Sequence, residues 1–62
     1  MEKRRRQALL EALIEELLAG GYEGTSPARA CVAAGVSTAE FAAEFAGKDA
    51  ALLAAYEEVT SE

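Results

Sequence analysis

Residues Ala33-Ala34-Gly35-Val36-Ser37-Thr38-Ala39-Glu40-Phe41 decide how the chain is read. Gly35 interrupts two runs of helix-favouring residues, and glycine permits the sharp turn that a larger residue resists. Val36 supplies an apolar anchor between the two runs. Ser37 opens the second, with Glu40 three residues on. This is the capping-box spacing, in which serine and glutamate satisfy each other's backbone amides. Two short helices joined through Ala34-Gly35-Val36-Ser37 carry the signature of a helix-turn-helix.

On the upstream side, Ser26-Pro27 starts the first helix of the pair, about residues 27–34. Serine accepts from first-turn amides, and proline suits the first helical position. Downstream, Phe41 and Phe45 lie four apart on one face of a helix over about 38–46. Gly47 breaks that helix, and a last one runs over about 48–59. The tail Thr60-Ser61-Glu62 is expected to fray. Ahead of the corner, Leu10, Leu13, Ile14, Leu17 and Leu18 recur at three- and four-residue steps, predicting an amphipathic helix over 3–19. Glycines 20 and 21 stop it. The expected fold is all-α: one small domain, four helices in a homeodomain-like bundle and no strands.

Sixty-two residues bury only roughly 60% of the surface their unfolded chain exposes, so little room remains for a deep catalytic cleft. Hydrophobic residues form 52% of the chain, too many for a disordered tail, but much of that share is alanine. The core is expected from the larger side chains: Leu9, Leu10, Leu13, Ile14, Leu17, Leu18, Tyr22, Phe41, Phe45, Leu52, Leu53 and Tyr56. Cys31, the one cysteine, reads as a small buried hydrophobe. With no histidine and no spaced cluster of ligands, neither a metal nor another cofactor is expected. The chain does not read as an enzyme, for it shows no nucleophile beside a base. No apolar run approaches the ~20 residues that cross a bilayer, and the start lacks the apolar stretch of a signal peptide. A soluble, cytoplasmic protein is expected.

Formal net charge is −5, and its distribution is uneven. Lys3, Arg4, Arg5 and Arg6 hold four of the six cations. From residue 7 onward only Arg29 and Lys48 remain, against ten acids. Nucleic-acid binders commonly show the opposite balance. The basic cluster also sits at a helix N-terminus, the electrostatically unfavourable end for cations.

The wider string narrows the reading. Leu9-Leu10-Glu11-Ala12, Gly21-Tyr22-Glu23-Gly24-Thr25-Ser26, Ala33-Ala34-Gly35-Val36-Ser37, Phe41, Phe45, Gly47-Lys48-Asp49 and Leu52-Leu53 follow one another at characteristic gaps. In these motifs the chain resembles the N-terminal domain of TetR-family (tetracycline-repressor) transcriptional regulators, over about residues 5 to 59. The resemblance implies that a first helix packs under a helix-turn-helix. It also implies that the third helix enters the major groove of operator DNA, and that the fourth leads to an effector-binding and dimerisation domain. That second domain is not in this sequence.

Several positions depart from the family's pattern. Ala42 stands where a tyrosine usually touches phosphate, and Glu44 where histidine or tyrosine is usual. Ala30 replaces the usual core isoleucine, and Arg29 the acid before it. Lys48, a phosphate contact in the family, is kept. Glu40 has its capping role; Glu44 has none, and one turn after Glu40 it adds like-charge repulsion.

The candidate DNA-contacting residues are Arg4, Arg5, Arg6, Ser26, Ser37, Thr38, Ala39, Glu40, Ala42, Ala43 and Lys48. Cations and helix-terminal amides would take the phosphates. Small side chains would meet thymine methyls, and Glu40 could accept from a cytosine amino group. Double-stranded DNA is the partner this implies, with a homodimer or a partner helix as the further expectation. The competing reading is a degenerate helix-turn-helix that leaves DNA alone. It would serve as an interaction or structural module through Ala39, Ala42, Ala43 and Ala46, and an excised or engineered domain would look the same.

Overall fold

The computed structural model describes residues 1–60, the side chains of 59 and 60 excepted; Ser61 and Glu62, part of the expected tail, lie outside the described residues. Four helices follow in order: α1 (Lys3–Gly20), α2 (Pro27–Ala34), α3 (Thr38–Glu44) and α4 (Lys48–Thr60). No strand occurs among the described residues. Both α2 and α4 pack on α1, while α3 packs chiefly on α2. The bundle measures 26 × 24 × 19 Å.

Each boundary has a local cause. Gly21 takes φ 72° and ψ −172°, which only glycine adopts readily, and its N–H donates to Leu17 O at 2.8 Å. At the start of α2, Ser26 accepts from the Arg29 amide, and Pro27 fills the first helical turn. Gly35 ends α2 in the left-handed conformation, φ 72° and ψ 32°. The Val36 N–H then donates to Cys31 O at 2.9 Å, which folds Val36 back into the core. Both halves of the capping box at Ser37 and Glu40 are present.

Three boundaries differ from the sequence expectation: α1 runs one residue further, through Gly20, with Gly21 alone as its cap. α3 ends at Glu44, two residues early, because Phe45 leaves helical geometry (φ −130°, ψ 141°) and turns its ring into the core. Ala46 therefore lies beyond α3 and does not extend its alanine face. At the other end of the chain, α4 continues through Thr60, a residue expected in the tail.

The core comprises Leu9, Leu10, Leu13, Ala30, Cys31, Val36, Phe45, Ala51 and Ala55, with Ile14, Phe41 and Leu52 packed partly buried against it. Phe41 and Phe45 form a tilted pair, ring centroids 5.5 Å apart. Burial pushes the Cys31 thiol up from its ordinary pKa, keeping it protonated.

Five residues expected inside are exposed: Leu17, Leu18, Tyr22, Leu53 and Tyr56. Helical rotation accounts for the clearest cases. Leu18 comes nine residues after the fully buried Leu9, about two and a half turns, and so points the opposite way, 81% exposed. In α4 the buried pair is Ala51 and Ala55, four apart. Leu53, two residues from either, faces outward. The alanines win that face because their small side chains let α4 approach α1 closely.

Candidate nucleic-acid interface

The corner at Gly35 sets α3 beside the start of α1. Thr38, Ala39, Ala42 and Ala43 are all exposed on α3, and Ser37 is exposed at its cap. Ser37 Oγ accepts from the Glu40 N–H at 3.0 Å, and the Ser37 N–H donates to Glu40 Oε1 at 3.1 Å. The Ser37 amide and the acceptor side of its hydroxyl are thus used in starting the helix.

The basic cluster divides. Arg4 is exposed and makes no ion pair among the described residues, and the same holds for Lys3. Arg5 and Arg6 turn instead to the acids of α3. Arg5 Nη2 lies 3.1 Å from Glu40 Oε2, and Arg5 Nη1 donates to Glu40 Oε1 at 3.4 Å, so the guanidinium spans both carboxylate oxygens. Arg5 Nη1 also reaches Gly35 O, at 3.5 Å. Arg6 Nε donates to Glu44 Oε2 at 3.2 Å, and its Cζ atom sits over the Phe45 ring, 5.5 Å from the centroid. A longer contact, 3.9 Å, joins Arg6 to Glu58 of α4.

These pairs give both α3 acids a place. The Ser37 backbone N–H, with Arg5 beside it, holds the Glu40 carboxyl below its ordinary pKa despite some desolvation. Glu44 has no cap to make, and its partner is Arg6. The unfavourable position of Arg5 and Arg6 at a helix N-terminus is offset across the fold by these carboxylates.

Ser26 and Lys48 are also engaged. The Ser26 N–H donates to Glu16 Oε1 at 2.6 Å, and this bond, with Arg29 nearby, lowers the Glu16 pKa. Arg29 binds Gly24 O at 2.8 Å and Glu16 at 3.5 Å, fastening the connection before α2 to α1. Lys48 Nζ stands 4.1 Å from the centroid of the Tyr22 ring, whose hydroxyl donates to Asp49. Thr25, buried, donates from Oγ1 to Gly21 O at 2.8 Å. Neither Glu16 nor Thr25 stands out in the sequence, because nothing local marks their distant or main-chain partners.

Among the described residues no three His, Cys, Asp or Glu side chains gather as a metal set. No described helix is long and apolar enough to cross a membrane. The face that remains is an exposed, uncharged strip of α3, bordered by two balanced ion pairs and, at the chain's start, by Lys3 and Arg4. No protein-family model, curated protein or solved structure matches this chain.

Proposed function

We propose that the chain is a helix-turn-helix DNA-binding domain of the TetR type, with α3 as the recognition helix. The observation that carries this reading is the left-handed corner at Gly35 followed by a capped helix whose small outward residues, Thr38, Ala39, Ala42 and Ala43, are exposed beside the basic start of α1. A helix with such short side chains can lie deep in a major groove and meet thymine methyls. Lys3 and Arg4 would contact phosphate, and Arg5, Arg6 and Lys48 would join once drawn from their present partners. A second copy on a paired half-site would tighten the binding.

The test is a titration with duplex DNA at low and at physiological salt. The reading expects binding at low salt that weakens steeply, with a log–log slope of about −0.9 per phosphate neutralised. Lack of binding at low salt would overturn it.

One observation favours the second reading, a module that contacts protein and not DNA. Arg5 and Arg6 are already paired with Glu40 and Glu44, so the α3 face carries no surplus positive charge. Three exposed alanines would let a partner helix approach closely. An interaction module of this kind binds no duplex at any salt concentration.

A further inference from the structure

We propose that Glu40 and Glu44 act as an internal stand-in for phosphate, holding Arg5 and Arg6 on the surface of α3 and so restraining nucleic-acid binding until a real phosphate backbone displaces them. The proposal rests on the DNA-binding reading for its biological setting. The contact itself stands on geometry alone.

Three observations support it. Both arginines leave the first turn of α1 to reach the same short helix, and each meets a separate carboxylate, at 3.1 and 3.2 Å. Arg5 presents its fork to both oxygens of Glu40, the arrangement by which guanidinium also grips phosphate. The four side chains remain between 34% and 42% exposed, so an incoming anion can reach the guanidinium groups without unfolding the domain. Half-exposed ion pairs of this kind are weak, so the restraint is a several-fold effect and not a block.

The acids also have a cost for binding besides the clamp, since any carboxylate near DNA repels phosphate. The two effects separate in a cycle of variants. The wild type, Glu40→Gln with Glu44→Gln, Arg5→Gln with Arg6→Gln, and all four changes together are titrated with a random-sequence DNA duplex over a range of salt, and run on immobilised heparin as a second polyanion. Glutamine keeps the capping box at position 40. Circular dichroism checks that each variant is folded. Glu44→Gln alone, which touches no cap, is a further variant expected to give about half the effect.

The clamp predicts that removing the acids tightens binding to both polyanions. The gain should be several-fold at low salt, with the log–log salt slope on DNA nearly unchanged, because the arginines reach the same phosphates in either complex. This gain should vanish when Arg5 and Arg6 are already glutamine. A gain of equal size with and without the arginines would reduce the effect to simple repulsion and overturn the proposal. So would an unchanged affinity for both polyanions. Arginine-dependent tightening on heparin, with no duplex bound by any form, would uphold the clamp while overturning the DNA-binding reading.

Discussion

Arg6 Nε donates to Glu44 Oε2 at 3.2 Å, joining the first turn of α1 to the last residue of α3. Thirty-eight positions separate the two residues, and the bond closes the side of the bundle where α3 has few other contacts with α1. The Arg6 guanidinium also covers the Phe45 ring, so one side chain balances charge and shields the core aromatic at the end of α3.

A double-mutant cycle on this pair should give a modest coupling. Arg6→Ala, Glu44→Ala and the double variant, compared by urea unfolding, are expected to show a coupling of about 0.2–1 kcal/mol that shrinks as salt is added. Arg6→Ala alone should cost more than Glu44→Ala, because it also strips the Phe45 ring of its cover. Equal single-variant losses would count against the stacking contribution.

Three glycines should rank in a fixed order when changed to alanine. At Gly20, the last residue of α1, an added Cβ meets nothing, and alanine favours helix, so stability should rise by up to about 0.5 kcal/mol. At Gly35 there is space, but the left-handed φ of 72° strains any side chain, with a loss of about 1–2 kcal/mol. At Gly24 the Cβ would stand 2.6 Å from the Gly20 carbonyl oxygen, backbone that cannot give way cheaply. That variant should be the least stable of the three in thermal melts.

The alanine contacts of α4 should resist enlargement. Ala51 is fully buried against α1, so Ala51→Leu should force the helices apart at a cost of about 1–3 kcal/mol. Leu53→Ala, on the outward face, should change stability by about 0.5 kcal/mol or less. Leu13→Ala removes a fully buried side chain and should cost about 2–5 kcal/mol, a large share of the stability of so small a domain. Chemical denaturation of the three variants checks the contrast.

Acid should destabilise the fold through two identified carboxylates. Glu16 and Glu40 both have folded-state pKa values lowered, chiefly by the backbone amides of Ser26 and Ser37. A lowered folded value means that the unfolded chain takes up protons first as pH falls. Their stabilising contribution is therefore complete above the ordinary glutamate range and is lost as pH drops through the folded values. Glu16→Gln and Glu40→Gln should each flatten the decline in melting temperature across that window. At the alkaline end the sign reverses. The Tyr22 pKa is raised by its hydrogen bond to Asp49, so this contribution holds below the ordinary tyrosine range and disappears as pH climbs through the raised value.

The punctuation of the fold was legible in the sequence alone. Gly20-Gly21, Ser26-Pro27, Gly35 and Ser37-Thr38-Ala39-Glu40 act within a few residues of themselves, through backbone conformations and caps, so their identities suffice to place the two connections on either side of α2. Burial was legible only in part. Leu9, Leu10, Leu13, Val36 and Phe45 are inside as their spacing implies, yet Leu18 and Leu53 are exposed while Ala51 and Ala55 are buried. The apolar stripe on a short helix is wider than the contact it makes, and the choice of face depends on how closely the partner helix can approach. The charges were legible least of all. Arg5, Arg6, Glu40 and Glu44 read as two opposed clusters far apart in the chain, one at the wrong end of a helix and one unsuited to DNA. Only the packing of α2 on α1 and of α3 on α2 brought them within hydrogen-bonding distance, since Coulombic attraction depends on separation in space, which sequence distance does not record.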